Sequence, residues 1–124
     1  MSKVGRWTPS AIWSTVILVA TSIPGSMLRG APVVAGADKG VHALLYGTLG
    51  FLVWRAVASG GGGSGRRAGI ALAAIALCAV LDEWHQQFIP GRSTDMADWM
   101  ADVAGAIVGL TLSRTAPWRR GSAS

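Results

Sequence analysis

Four apolar runs follow one another along this chain, at residues 9–23, 40–58, 68–88 and 96–112, with only short polar or glycine-rich breaks between them. A membrane-spanning helix needs about 20 mainly apolar residues, with about 17 to 25 tolerated. The pattern therefore predicts four spans, and the connecting segments are too short to fold alone. In 124 residues this leaves one domain, an all-α integral membrane four-helix bundle with short loops. Composition points the same way, with 51% hydrophobic and 14% charged residues, where an average globular chain has about a quarter charged. A small soluble domain needs charge to cover its large surface fraction, and so apolar a chain is not a disordered one. The 17 glycines follow no collagen period. Cys78, the single cysteine, excludes a disulfide scaffold and a cysteine-based zinc site.

Local signals bound the spans. Thr8-Pro9 reads as an N-cap followed by proline at the first helical position, and Pro24-Gly25 ends what precedes it. Lys3 and Arg6 ahead of an apolar core, with Ala35-Gly36-Ala37 behind it, also resemble a signal peptide and its cleavage site. The stretch from Ala20 to Ala37 is too long for that purpose and contains Pro24 and Pro32, so a retained span is expected. Residues 59–65, SGGGGSG, form a flexible connection that reaches about 5–6 Å times the square root of its length. That joins two antiparallel neighbours, and no chemistry is expected of it.

Lysine and arginine in short loops set orientation. Lys3, Arg6, Arg55, Arg66, Arg67, Arg114, Arg119 and Arg120 fall on one side, against Arg29, Lys39 and Arg92 on the other. The bias places both termini in the cytoplasm of a multi-pass protein of the bacterial inner membrane. The net charge of +5 is then a topology signal, since the basic residues form no stripe and call for no nucleic acid. Arg114, Arg119 and Arg120 are expected at the anionic inner-leaflet lipid. All the acidic residues, Asp38, Asp82, Glu83, Asp95, Asp98 and Asp102, lie in the outer half.

Ionisable groups in a bilayer core cost about 2.5–3.5 kcal/mol each on insertion scales and mark functional sites. On the second span Asp38, His42 and Tyr46 recur at i, i+4 and i+8, along one slowly drifting helical face. On the third, Glu83 with Gln86 or Gln87 marks a face near the outer end. Adjacent positions point about 100° apart on a helix, so only one of Asp82 and Glu83 is expected to face the centre, and Glu83 is favoured. His85 is expected at the head groups. On the fourth span Asp95, Asp98 and Asp102 continue into Gly105 and Gly109, a GxxxG that permits close backbone approach, with the alanine-rich third span as its expected partner. At a rise of about 1.5 Å per residue, His42, Glu83 and Asp102 share one depth and can meet. Pro90-Gly91 forms the outer turn, with Ser93 or Thr94 capping the next helix and Asp95 in its first turn. Arg92 stands at head-group level, able to pair with a carboxylate or grip a phosphate. The tryptophans, mostly near span ends, are expected to form an aromatic belt.

These residues resemble the VanZ-like family, small four-helix membrane proteins named after a teicoplanin resistance protein. The matching stretches are Asp38-Lys39-Gly40-Val41-His42 with Tyr46 and Gly47, then residues 81–92 (LDEWHQQFIPGR), then Asp98 with Gly105 and Gly109. They cover the second to fourth spans. Asp102 departs from the family pattern, which usually has asparagine there. The extra carboxylate favours a bound cation or a shared proton.

Three functions are expected to compete. In the first, the protein binds an anionic lipid head group or lipid-linked envelope molecule at the outer face. Lys39 and Arg92 then contact the phosphate while Asp38, His42, Glu83 and Asp98 orient them or hold a bridging divalent cation; the resemblance adds an effect on teicoplanin sensitivity. In the second, it is an accessory subunit of a larger membrane complex, respiratory or photosynthetic, packed through its small-residue helices. In the third, it is an enzyme acting on a polyprenyl-type lipid, although no nucleophile adjoins a base. No cofactor is otherwise expected. Against all three stands a simpler role for the polar residues: a hydrogen-bond network locking the helices together.

Overall fold

The computed structural model describes residues 2–23, 37–58, 60–91 and 95–116, the side chains of Ala37 and Asp38 excepted. They form four α-helices, α1 (Lys3–Thr21), α2 (Ala37–Val57), α3 (Ser64–Gln86) and α4 (Met96–Thr115), with no strand among the described residues. The expected all-α four-helix architecture is thus observed. By length and composition alone, two helical stretches are able to cross a membrane, Lys39–Val57 and Ser64–Gln86. The other two helices are interrupted by polar residues, α1 by Arg6, Ser10, Ser14 and Thr15, and α4 by Asp98 and Asp102.

Two helix starts differ from expectation. Ser2 caps α1, its hydroxyl accepting from the Gly5 N–H at 3.1 Å. Pro9 consequently lies inside the helix, where it offers no N–H to the carbonyl one turn back. Thr8 is no cap either, since its hydroxyl donates to the Val4 carbonyl at 3.0 Å. Asp95 caps α4 itself, accepting from the Ala97 N–H at 2.9 Å, instead of occupying the first turn. Ser93 and Thr94, expected as caps, lie outside the described residues, as do Pro24, Gly25, Arg29, Ala35, Gly36, Arg92, Trp118, Arg119 and Arg120.

The closest pair is α2 with α4. Corresponding positions advance together along both, His42 beside Asp102 and Gly47 beside Gly109, so the two run parallel. Gly105 and Gly109 face α2, not the alanine-rich α3. A Cβ on Gly105 would land on the Ala43 carbonyl, and one on Gly109 on the Gly47 carbonyl. Gly50 meets the Ala106 backbone in the same way. The sequence of α2 carries the matching small surface, Ala43 and Gly47 four apart with Gly50 following, which is the spacing that lets two backbones touch. The small residues of α3, Ala71 and Ala79, flank buried Ile75 in the common core, which Ile17 of α1 joins.

Indole N–H groups pin neighbouring helices together. Trp13 donates to the Leu45 carbonyl at 2.8 Å and Trp99 to the Ala76 carbonyl at 3.2 Å. Trp54 is buried at the basic end, with the guanidinium carbons of Arg114 and Arg67 at 5.0 and 5.9 Å from its ring centroid. Such cation–π contacts are worth about 0.5–1 kcal/mol when exposed and about 2 when desolvated. Arg67 also donates to the Gly60 and Gly62 carbonyls, which ties down the glycine-rich turn. The aromatic belt is thus only partly realised. Trp7 and Trp84 are exposed, whereas Trp13, Trp54 and Trp99 turn inward to bond or pack.

Beside its apolar core, the bundle exposes many large apolar side chains and buries several polar ones, which is unusual for a soluble bundle. Ile12, Val16, Val19, Leu44, Ile70, Leu77, Leu81, Val108 and Leu112 lie on the outside. Ser10, Thr21, His42, Asp82, Glu83, Gln86, Asp98, Asp102 and Ser113 are buried.

Candidate functional site

At the end of the bundle opposite Trp54, the first turns of α2 and α4 meet the last turn of α3. Helical spacing aligns the polar residues of each. His42 and Tyr46 are one turn apart on α2, as are Asp98 and Asp102 on α4, and all four are buried. The Nδ1 of His42 lies 2.8 Å from Oδ1 of Asp102, which is fully enclosed. An ionised carboxylate only accepts, so in this pair the imidazole donates from Nδ1 and Nε2 is left for another partner.

The expectation that only one of Asp82 and Glu83 faces inward is corrected, because both are buried and they serve different neighbours. Asp82 turns toward α1 and α2, accepting from the Thr21 hydroxyl at 2.7 Å and the Tyr46 hydroxyl at 3.1 Å. Glu83 turns toward α4, where Oε2 accepts from the Asp95 N–H at 3.5 Å. The two directions differ by the 100° step between adjacent residues, and the bundle has a polar neighbour on each side. Gln86 is buried, but Gln87 is exposed at the end of α3 and takes no part in the cluster. His85 is half-buried, with Nδ1 enclosed and without a hydrogen-bond partner, instead of turned to the surface. Asp38 lies in the first turn of α2, its side chain beyond the described residues together with Arg92. Lys39 is 3.6 Å from both Asp95 Oδ2 and Asp98 Oδ1.

The cluster therefore has two halves. Around Asp82 both carboxylate oxygens are hydrogen-bonded, and that half ties α1, α2 and α3 together. Around His42 the bonding is incomplete, since Glu83 Oε1 and Asp102 Oδ2 are enclosed without a hydrogen-bond partner and Asp98 Oδ1 meets the Lys39 ammonium at 3.6 Å without a hydrogen bond. Buried polar groups are normally satisfied, and each orphan costs about 1–3 kcal/mol. A locking network accounts for the first half and leaves the second unexplained. In that second half His42, Glu83 and Asp98 each bring one ligand atom, all within 4.8 Å of one another.

A cleft of about 480 Å³ opens between α3 and α4, lined by Val80, Glu83, Asp95, Met96 and Trp99. Its walls are apolar and its polar end is shared with the cluster through Glu83. A second hollow, about 530 Å³, follows the outside of the α2–α4 seam past Gly47, Phe51, Gly105 and Gly109.

Thr21, Gly47, Gly50, Trp13 and Trp99 were not singled out by sequence for the positions they hold. Ala43-x-x-x-Gly47 carried a usable signal, the same small-residue spacing as Gly105 and Gly109. Thr21 carried none beyond a hydroxyl at a helix end.

A small helical bundle with apolar residues outside and a histidine–carboxylate cluster inside one end is the class that fold and site define. The chain belongs to the VanZ/LLP1 family, whose model matches residues 3–117. The match takes in α1, which the quoted motifs did not reach. Comparison with curated proteins gives no match, and neither does comparison with solved structures.

Proposed function

We propose that the protein is a multi-pass protein of the bacterial cytoplasmic membrane, both termini inside, that receives the anionic head of a lipid or lipid-linked envelope molecule at the outer, acidic end of its bundle. The observation that carries this reading is the cleft between α3 and α4. It offers an apolar wall of Val80, Met96 and Trp99 to a chain and ends at Glu83 and Asp95, beside Lys39. An amphiphile needs that pairing of surfaces. The apolar exterior supports the membrane setting, as do the two helices of spanning length. Lys39 and Arg92 supply the positive charge for the head, and Glu83 and Asp98 place it. Where the ligand is an envelope precursor, holding it alters teicoplanin sensitivity.

Native mass spectrometry of the protein in mild detergent tests this. Anionic lipid should stay bound in preference to zwitterionic lipid, and both Glu83→Ala and Met96→Trp, which fills the cleft, should release it. An identical lipid profile in the wild type and both variants would overturn the proposal, the more so if Glu83→Ala leaves cellular teicoplanin sensitivity unchanged.

The accessory-subunit reading is favoured by one observation, the smooth hollow along the α2–α4 seam, where small residues leave room for a foreign helix. Gentle purification separates the two readings: a protein that always migrates alone is no subunit.

A further inference from the structure

We infer that His42, Glu83 and Asp98 bind a divalent first-row transition ion, with Asp102 orienting the imidazole. The three ligands come from three different helices, α2, α3 and α4, and all are buried. Their donor atoms lie within 4.8 Å of one another. Bonds of about 2.0–2.2 Å in a tetrahedral site put ligand atoms about 3.3–3.6 Å apart, so closure requires side-chain movements of about an ångström. A nitrogen donor with two carboxylates suits zinc, manganese or iron(II) better than magnesium or calcium, which take oxygen alone.

Three further observations favour an ion over a merely acidic pocket. Glu83 Oε1 is enclosed without a hydrogen-bond partner, in a residue 8% exposed. Two buried carboxylates this close repel, and the half-exposed Lys39 ammonium, 3.6 Å from Asp98 and shared with Asp95, offsets only part of that. The bond from His42 to Asp102 fixes the ring so that Nε2 is the free nitrogen, and a carboxylate behind a ligating histidine is the usual support of such sites. Lys39 pairs with Asp98 through the oxygen that would turn to the ion, and it has Asp95 as its alternative.

Three protein ligands leave at least one coordination position open. Glu83 belongs both to the cluster and to the cleft wall, so that position is reached from the cleft. A phosphate oxygen of the bound head would complete the coordination. This last step rests on the proposed lipid binding, whereas the metal site does not.

The test uses the full chain in detergent, purified without a histidine tag, stripped with chelator and titrated with cobalt(II), then competed with zinc. One ion per chain is expected, with the visible absorption of cobalt held by nitrogen and oxygen. Glu83→Gln and Asp98→Asn, which keep shape, should each weaken binding at least about 100-fold. Asp102→Asn should weaken it by about 10–100-fold, the usual effect of losing such a supporting carboxylate. Gln87→Ala, on the exposed end of α3, should change nothing. Helicity and gel filtration check that the variants fold, and His42→Ala is then read alongside them. Absence of cobalt binding, or equal binding in Glu83→Gln and Asp98→Asn, would overturn the site. Lipid retention measured with and without zinc separates the two proposals. Cobalt binding without lipid selectivity sinks only the lipid reading, and lipid selectivity without cobalt binding sinks only the metal.

Discussion

Asp82 accepts hydroxyl hydrogen bonds from two other helices, which makes it the most consequential single residue outside the proposed ion site. Thr21 has a fallback, because the same hydroxyl also reaches the Ile17 carbonyl at 2.9 Å, whereas the Tyr46 hydroxyl bonds Asp82. Asp82→Ala and Tyr46→Phe each leave a buried polar group unpaired, so each is expected to destabilise the bundle by about 1–3 kcal/mol. Unfolding in detergent measures both. A double-mutant cycle should return about 0.6–2 kcal/mol of coupling between them, the range for such bonds between transmembrane helices; additive losses would show that the bond contributes nothing. At this scale His42, Glu83, Asp98 and Asp102 were legible in the sequence, because period and depth converge on them. Asp82 was not, because it adjoins Glu83 and the choice between them assumed a single polar side where the bundle has two.

The α2–α4 seam illustrates what a helix pattern conveys and what it withholds. Gly105 and Gly109 announced a close approach, but a small-residue face does not name its partner, and the alanine-rich α3 was the expected one. The deciding feature was the complementary spacing of Ala43, Gly47 and Gly50. A Cβ at Gly109 meets backbone, which cannot rotate away, so Gly109→Ala should cost about 1–3 kcal/mol or more as the helices are forced apart. At Gly69 of α3 the same change meets open space. There it should stabilise by about 0.5–1 kcal/mol, because alanine loses less conformational freedom in a helix. Melting temperatures of the two variants in one detergent test the contrast, and shifts of the same sign would contradict the seam. The helix starts were less legible. Pro9 looked like a first helical position, but Ser2 had a capping hydroxyl free one full turn and more before it.

For the whole molecule, the proposed orientation makes a prediction that needs no ligand. Cys78, the single cysteine, lies exposed partway along α3. In intact membranes it should resist a charged, impermeant maleimide and react only after solubilisation. In a Cys78→Ala background, Gln87→Cys at the outer end should label from outside, and Gly61→Cys in the glycine-rich turn only once cells are opened. Reversed labelling would invert the topology, and full labelling of Cys78 in intact membranes would remove the membrane setting. The parallel pairing of α2 with α4 also bears on biogenesis. The hairpin of α2 and α3 is synthesised before α4, yet the tightest helix contact among the described residues joins α2 to a helix that the ribosome has still to deliver. Until α4 arrives, His42 lacks Asp102, Glu83 lacks the Asp95 N–H, and the small-residue face of α2 lies open to whatever helix passes. Assembly of the site therefore waits for α4, and in the proposed membrane setting a chain that has not inserted α4 displays an uncovered polar cluster.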